Sequence, residues 1–289
     1  MGPACPCCGA ALQVGLRSWH LRCVACSYEG SSLSPRIVEQ AGDIDEEARE
    51  HGLSPLRQTN FRLLSQRLGG LRHWADLKAG GGPRLLDVGC AHGWFLQANE
   101  QTFRTFGIEP DPIVAAATRK RGLPVREGFF PAALQQDERF DVIVFNDVLE
   151  HIPDINSTLA ACHSHLGADG YVVVNAPSRT GFLYRLSKMM LRCGMGGAFD
   201  RLWQLGLPSP HVHYLDTPSM QRLAEKNGFK LESRMSLPSV TADGLYERIH
   251  CSNDISAMKA AFITAGMMLA IPFLKMLPSD IEVWFLRKH

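Results

Sequence analysis

The pattern of apolar and polar positions divides the chain into a helical region and a longer region in which strands and helices alternate. Between residues 54 and 78, apolar side chains recur at helical spacing, and the glycines that follow predict the end of this helix at about Gly80. From Arg84 the pattern changes to short apolar runs, each followed by a turn and an amphipathic segment. Such alternation is typical of an α/β fold with a parallel sheet.

Five strands are expected in this alternating region. They lie in the segments RLLDVGCAHGWFLQA, TFGIEPD, LPVREGFF, FDVIVFNDVLEHIPD and HSHLGADGYVVVNAPS. Helices are expected between them, including one over residues 112–121. A further helix, TPSMQRLAEKNGFKLE, precedes a sixth strand, and IEVWFLRKH has the composition of a final strand.

The longest apolar stretch covers residues 260–274, between Lys259 and Lys275. It contains Gly266 and Pro272, and it is shorter than the roughly 20 residues that a bilayer span needs. The stretch therefore predicts a buried or partly buried helix. A surface that rests on a membrane is the alternative.

Composition sets bounds on size, partners and redox environment. With 289 residues, 45% of them apolar and 20% charged, the chain is long enough for one large domain and a small appendage. A formal net charge of +1 gives no overall attraction to nucleic acid or to an anionic membrane. The N-terminus lacks the basic and apolar regions of a signal peptide, which favours a cytoplasmic protein with reduced thiols.

Two Cys-x-x-Cys pairs, fourteen residues apart, occupy the N-terminus. Their members are Cys5, Cys8, Cys23 and Cys26. Each pair can present two thiolates to one tetrahedral zinc ion, and a segment this short needs such a metal to fold. The pattern resembles the zinc ribbon family, with a β-hairpin between the pairs. Four ligands predict a closed, structural site, although Cys7 could replace Cys8 and His20 could replace a thiolate.

A glycine-rich turn follows the first of the five strands, with the spacing Asp87-x-Gly89-x-Ala91-x-Gly93. It resembles motif I of class I S-adenosylmethionine-dependent methyltransferases, in which the middle position is usually glycine. The segment FDVIVFNDVLEHIPD likewise resembles the fourth-strand motif of the ubiquinone-type group of that family. Gly89 lets the backbone approach a ligand, and the start of the next helix favours the carboxylate of a methionine group.

The resemblance implies a site for S-adenosylmethionine. Glu109 ends the second strand, where an acid would accept both ribose hydroxyls, a feature that nicotinamide dehydrogenases share. Phe129 or Phe130 would pack on the adenine, and Asn146 would lie near the methionine amine. The residues expected at the cofactor are Asp87, Gly89, Cys90, Ala91, Gly93, Glu109, Pro110, Phe129 and Asn146.

The resemblance also implies a doubly wound, seven-stranded Rossmann-like sheet with helices on both faces and an antiparallel last strand beside the sixth. The expected organisation is a zinc ribbon over residues 1–30, a linker and helix over 31–53, and a methyltransferase domain over 54–289. Within that domain, residues 178–214 interrupt the alternation and are rich in Leu, Met, Phe and Trp. They predict a helical lid over the acceptor, with additional core as the alternative.

Candidate bases for a hydroxyl acceptor are histidines. His151 follows the fourth strand and is the first candidate, with a structural hydrogen bond as its alternative role. His213, at the end of the lid segment, is the second candidate, and His211 ranks below it. No acid and histidine set with the spacing of a magnesium-dependent catechol site is recognisable in the sequence.

These features predict methyl transfer to a hydroxyl of a small molecule, a glycan or a lipid-linked intermediate in a bacterial biosynthetic pathway. An RNA methyltransferase with a zinc module is one alternative, which the low net charge and the second Cys-x-x-Cys pair disfavour. A non-catalytic cofactor-binding protein, whose ribbon recruits a partner protein, is the other. Peripheral contact with a membrane is also left open.

Overall fold

The computed structural model describes residues 2–36, 46–71, 74, 81–250 and 256–289. Its strands are β1 (Gln13–Val14), β2 (His20–Arg22), β3 (Glu29–Ser31), β4 (Arg84–Val88), β5 (Arg104–Glu109), β6 (Val125–Glu127), β7 (Phe140–Asn146), β8 (Leu166–Pro177), β9 (His213–Tyr214), β10 (Phe229–Leu237) and β11 (Ile281–Lys288). Its α-helices are α1 (Glu46–Gly69), α2 (Trp94–Asn99), α3 (Pro112–Lys120), α4 (Ile155–His165), α5 (Phe182–Arg192), α6 (Gly197–Leu202), α7 (Thr217–Lys226), α8 (Leu245–His250) and α9 (Ala257–Leu274).

The central sheet has seven strands in the order β10-β11-β8-β7-β4-β5-β6. Strands β4 to β8 run parallel, whereas β11 lies antiparallel between β8 and β10. This confirms the doubly wound sheet and the antiparallel final strand that the sequence predicted. The carboxyl ends of β4, β5, β6 and β7 meet at one edge, which is where ligands bind in sheets of this type.

Helix α1 differs from the predicted helix at both ends. It begins before residue 54 and ends at Gly69, so that Trp74 lies beyond the helix, while residues 75–80 lie outside the described part of the chain. The pair Gly69 and Gly70 explains the early end, because two consecutive glycines weaken a helix more than the apolar pattern supports it. Much of the predicted linker, residues 37–45, also lies outside the described residues.

Both faces of the central sheet are covered. On one face, side chains such as Leu86, Ile108 and Phe145 pack in a core cluster that also contains Leu159 of α4 and Leu223 of α7. The opposite face packs against α1 through a second cluster. Members of that cluster include Leu64, Leu68, Leu85, Val142 and Val173. These two apolar faces match the near-continuous apolar runs of the strands, as expected for a buried parallel sheet.

The N-terminal hairpin is continuous with the rest of the protein. Strands β1, β2 and β3 form an antiparallel sheet whose fourth strand is β9, from the far end of the predicted lid. Tyr214 lies opposite Glu29, and His213 lies opposite Gly30. The hairpin cysteines other than the exposed Cys8 belong to the same core cluster as one face of the central sheet.

Glu29 joins the hairpin to the lid. Its buried carboxylate accepts hydrogen bonds from the Tyr184 hydroxyl at 2.6 Å and from Lys188 Nζ at 2.5 Å, both on α5. It also accepts from His20 Nε2 at 3.1 Å and from Arg179 Nε at 3.4 Å. Burial opposes ionisation of Glu29, but these donors hold the pKa of its carboxyl well below the usual range.

Part of the lid segment belongs to the core. Tyr184, Phe199, Trp203 and Tyr214 form a buried aromatic cluster between α5, α6 and β9, and Trp19 of the hairpin stacks on Phe199 at 5.8 Å. This burial agrees with the alternative of additional core more than with an open apolar wall. A second group of its side chains is nevertheless exposed, and it consists of Met189, Met195 and Leu205.

The burial of helix α9 differs most from the expectation drawn from the sequence. The sequence favoured a buried or partly buried helix, yet only 11% of the helix is buried within the fold. It is the one helix among the described residues that is long and apolar enough to cross a membrane.

Candidate active site

The turn between β4 and α2 brings backbone, instead of side chains, to the carboxyl edge of the sheet. Gly89 and Gly93 have φ values of 71° and 72°, in the left-handed region that favours glycine. A Cβ at Gly89 would lie 2.6 Å from Val148 Cγ2, so this position has no room for a side chain. Ala91 takes the same left-handed region with φ 44°, and the Thr118 hydroxyl donates to its carbonyl at 2.9 Å. Alanine in the usual glycine position therefore keeps the turn at the expense of local strain.

Glu109 lies at the end of β5 beside this turn. Its Oε2 accepts a hydrogen bond from the Ala91 amide at 2.8 Å, and its Oε1 accepts one from the Asp111 amide at 3.0 Å. Each carboxylate oxygen can accept more than one hydrogen bond, so both retain capacity for ligand hydroxyls. Burial raises the pKa of Glu109, while the two amides oppose that shift.

Asp87 and Asn146 meet across the neighbouring strands β4 and β7. Asn146 Nδ2 donates to Asp87 Oδ1 at 3.1 Å, and Asn175 Nδ2 lies 3.5 Å from Asn146 Oδ1. Burial raises the pKa of Asp87 to about 7, and the charge of Glu109 adds to the increase. Two buried carboxyls beside a glycine turn suit a ligand that carries positive charge and hydroxyl groups.

The other predicted cofactor residues occupy different environments. The Cys90 thiol is buried against Gly107 of β5, so close that a Cβ at Gly107 would lie 2.5 Å from its Sγ. Only the backbone of Cys90 therefore belongs to the turn. Pro110 is partly buried between Glu109 and the start of α3. Of the two phenylalanines proposed to pack on adenine, Phe130 lies against Phe145 at 5.8 Å, whereas Phe129 is 51% exposed.

Three titratable side chains cluster after β7. Glu150, His151 and His211 offer ligand atoms that all lie within 4.8 Å of one another. The rings of His151 and His211 are 4.8 Å apart, and Glu150 Oε1 is 3.9 Å from His151 Nε2. Burial raises the pKa of Glu150 well above its usual value and lowers that of His211 well below it. The cluster can accept and release a proton, or it can bind a divalent cation.

His151 and His213 differ in how their ring nitrogens are used. His151 Nδ1 lies 3.1 Å from the Pro210 carbonyl and donates to it, which places the lone pair of a neutral ring on Nε2. His213 Nε2 donates to the Ile152 carbonyl at 2.8 Å, and its Nδ1 accepts from the Tyr28 hydroxyl at 2.5 Å. Burial lowers the pKa of His213 to about 4. Both ring nitrogens of His213 are thus used within the protein.

The four predicted zinc ligands come together at the end of the hairpin. The Sγ atoms of Cys5, Cys8, Cys23 and Cys26 lie within 4.8 Å of one another. Two pairs, Cys5 with Cys26 and Cys8 with Cys23, are 3.5 Å apart. A zinc tetrathiolate with bonds of about 2.3 Å has sulfur–sulfur edges of about 3.8 Å, so the cluster fits that ion. His20 is not part of the cluster, since its Nδ1 accepts from the Leu16 amide and its Nε2 contacts Glu29.

Sequence reasoning missed Glu150, which was part of a recognised motif but was given no role. His211 was named as a candidate base, but it was ranked below His213. Residues 211 and 213 lie beside the 3₁₀ helix Leu149–His151, where the Val212 amide donates to the Glu150 carbonyl at 2.7 Å. This contact across about sixty positions is not revealed by any local spacing. The one available signal was the presence of two histidines, separated by one residue, at the end of the lid segment.

The sheet order, the glycine turn after the first strand and the acid after the second define a class I S-adenosylmethionine-dependent methyltransferase. The chain belongs to the methyltransferase domain family, because the model of that family, described as "Methyltransferase domain", matches residues 30–234. The match begins at the third strand of the hairpin and includes both the glycine turn and the lid segment.

Curated relatives in this family share part of the chain. The ubiquinone biosynthesis O-methyltransferase of Salmonella paratyphi A is 27% identical over 139 residues, which cover 45% of this chain and 52% of that enzyme. The enzyme of the same name from Pseudomonas aeruginosa strain LESB58 is 29% identical over 138 residues, covering 44% and 59%. The match therefore spans about half the length of these relatives.

Solved structures share the fold at low identity. A methyltransferase from Thermotoga maritima, described as a possible histamine N-methyltransferase, aligns with a TM-score of 0.51 and 18% identity. That alignment covers 85% of this chain and 95% of the other. At this identity the comparison supports the fold alone.

Proposed function

We propose that the protein transfers a methyl group from S-adenosylmethionine to a hydroxyl of a small molecule, a glycan or a lipid-linked acceptor. The observation that carries this proposal is the Glu109 carboxylate, held by the amides of Ala91 and Asp111 at the end of β5. Its remaining acceptor capacity suits the two ribose hydroxyls of a nucleoside. When bound, S-adenosylmethionine supplies a methyl group on a sulfonium, which is already activated for transfer.

The charges of the site fit this cofactor. Asp87 and Glu109 are buried, and burial raises the pKa of both carboxyls because it penalises their charged forms. A ligand with positive charge would offset that penalty. Phe129 is exposed near the end of β6, where an adenine ring could pack against it.

His151 is our candidate for the group beside the acceptor. Its Nδ1 is held by the Pro210 carbonyl, so Nε2 is the atom that would accept the proton of an acceptor hydroxyl. Glu150 and His211 lie close enough to orient the ring and to influence its charge. We assign His213 a structural role instead, since Tyr28 and Ile152 use both of its nitrogens.

Oxygen as the acceptor atom is supported by the relatives, which are named as ubiquinone biosynthesis O-methyltransferases. Exposed Met189 and Met195 on the lid segment favour an acceptor with apolar parts, because methionine adapts to varied apolar surfaces.

We further propose that Cys5, Cys8, Cys23 and Cys26 bind one structural zinc ion. The four thiols leave no open position for a substrate, and the hairpin is otherwise too small to fold alone. The ion would fix the hairpin and, through β3, the position of β9 and the neighbouring histidines. The ribbon surface also remains a candidate for contact with a partner protein.

The proposed reaction can be tested with cofactor labelled in its methyl group. The purified protein is incubated with polar small-molecule, lipid and RNA fractions of a bacterial lysate, and the labelled product is identified by mass. We expect label in the small-molecule or lipid fraction, on oxygen, and much less label with the Glu109→Ala variant at the same cofactor concentration. Label in the RNA fraction would contradict the proposal. So would cofactor binding without transfer to any fraction, which would favour a non-catalytic role.

A further inference from the structure

Helix α9 exposes a continuous apolar face. Its most exposed side chains are Met258, Phe262, Leu269 and Phe273, followed just after the helix by Met276. Successive residues of an α-helix are rotated by about 100°, so spacings of four, seven, four and three keep all five on one side. Phe262 is 84% exposed and Phe273 is 70% exposed.

The opposite side of α9 is apolar as well. Ala260 and Ile271 are buried against the fold, and Thr264, which lies between them, bonds to the Ala260 carbonyl. A helix on the surface of a water-soluble domain normally carries polar residues on its outer face. Apolar residues lie on both sides of α9, and the mean hydropathy over the helix is 1.7. One side packs against the fold, so the exposed side indicates contact with another apolar surface or phase outside the protein.

The charged residues from Ser256 to Ser279 are both basic. They are Lys259 and Lys275, near the two ends of α9, and the nearest acidic residues in the sequence are Asp254 and Asp280, just outside that range. At 100° per residue, Lys259 lies about 70° from the middle of the exposed apolar face, whereas Lys275, just after the helix, lies about 130° from it. Lys259 can therefore lay its alkyl chain along an apolar phase while its ammonium reaches an anionic headgroup.

We propose that α9 lies in the interface of an anionic bilayer, with the face from Met258 to Phe273 among the acyl chains. The helix would lie on the membrane and not cross it. Only residues 251–256 separate it from α8, and only 275–280 separate it from β11. Six residues reach about 20 Å when extended, which is less than the roughly 30 Å of a hydrocarbon core. Both ends of α9 therefore stay on the side of the protein.

A second copy of the chain is the other occupant to consider for this face. The lysines lie at similar distances from the middle of the helix, near Gly266 and Met267. An antiparallel pair of helices would bring Lys259 of one copy towards Lys275 of the other, and a parallel pair would bring identical lysines together. Both arrangements place like charges side by side. An anionic lipid surface has the complementary charge, so the observations favour the bilayer.

Docking through α9 would also orient the lid. The Phe182 amide at the start of α5 donates to the Pro278 carbonyl, and the Tyr184 amide donates to Asp280 Oδ1 at 2.8 Å. The end of α9 is thus joined to the segment that we propose covers the acceptor. This consequence rests on the proposed function, whereas membrane binding itself does not.

The proposal is tested by sedimentation of the full-length protein with vesicles of phosphatidylcholine, with and without phosphatidylglycerol. We expect binding to the anionic vesicles, and loss of that binding in Phe262→Asp/Phe273→Asp. Val14→Asp is the matched control, because Val14 is 61% exposed on the distant strand β1. It should bind like the wild type. Lys259→Gln and Lys275→Gln should each weaken binding about fivefold.

Three results would overturn the proposal. The wild type could fail to sediment with anionic vesicles, or the Phe262→Asp/Phe273→Asp variant could bind as well as the Val14→Asp control. Light scattering could also show a dimer that the double variant abolishes, without vesicle binding, which would make the face an interface between copies. Circular dichroism of every variant checks that the fold is retained. Cofactor affinity should be unchanged in all of them, so failure here leaves the proposed function standing.

Discussion

His151 and His213 lie within one region of the fold, but their ring nitrogens make different hydrogen bonds. A histidine that acts as a base needs a ring nitrogen with a lone pair directed at the substrate. The bond from His151 Nδ1 to the Pro210 carbonyl sets the tautomer that places the lone pair of a neutral ring on Nε2. His213 uses one nitrogen as a donor to Ile152 and the other as an acceptor from Tyr28, both in the buried interior.

We expect His151→Ala to lower kcat by about 10²–10⁴-fold and to leave cofactor affinity nearly unchanged. The reason is that its Nε2 would take the hydroxyl proton during transfer. The measurement is the pH dependence of turnover, in which the variant should lose the acidic limb. Turnover per folded molecule within about tenfold of the wild type would mean that alignment of the substrates suffices.

His213→Ala serves as the matched control for His151→Ala. It leaves the Tyr28 hydroxyl and the Ile152 carbonyl without their buried partner, so we expect a loss of about 1–3 kcal/mol in the free energy of unfolding. The acidic limb of the pH–rate profile should remain. A variant of normal stability with a flattened acidic limb would reverse the roles of the two histidines.

At the scale of the elements, the pairing of β3 with β9 is the contact that joins the N-terminal hairpin to the lid segment. It places Tyr28 against His213 and Glu29 against Tyr184 and Lys188 of α5. The zinc ion that we propose for the hairpin would therefore also order the lid. An interface of this kind distinguishes the hairpin from a tethered appendage.

We expect about one zinc ion per chain in the wild-type protein and almost none in Cys23→Ser/Cys26→Ser. Loss of the metal should also lower the melting temperature of the whole protein, because the hairpin shares a core with the central sheet. Cys193→Ser is the control, since this thiol is exposed at the end of α5 and away from the cluster. Unchanged zinc content in the double variant, measured by metal analysis, would contradict the assignment.

At the scale of the whole molecule, the sequence correctly predicted the features whose pattern is contained within one short stretch of residues. The strands, the glycine turn from Asp87 to Gly93 and the Glu109 that follows lie in one stretch, and each has a pattern of its own. The paired cysteines are equally local. Parallel strand order then follows from family resemblance and from the rules of α/β sheets.

The features that the sequence did not predict depend on distant contacts. The Glu29 network joins residues more than 150 positions apart, and the cluster of Glu150, His151 and His211 requires β9 to pack beside the end of β7. The exposure of α9 was also missed, because an apolar run looks the same whether it packs inside a domain or faces a membrane. These contacts, and the exposure of α9, depend on which distant segments pack together in the folded chain.

The central claim is that S-adenosylmethionine binds at the carboxyl edge of the sheet through Glu109. Calorimetric titration of the cofactor into wild-type protein and Glu109→Ala tests it most directly. Removal of the carboxylate should cost about 1–3 kcal/mol, which is up to about a hundredfold in affinity. Glu225→Ala, which removes an exposed carboxylate on α7, should bind like the wild type. Wild-type affinity in Glu109→Ala would contradict the assigned site.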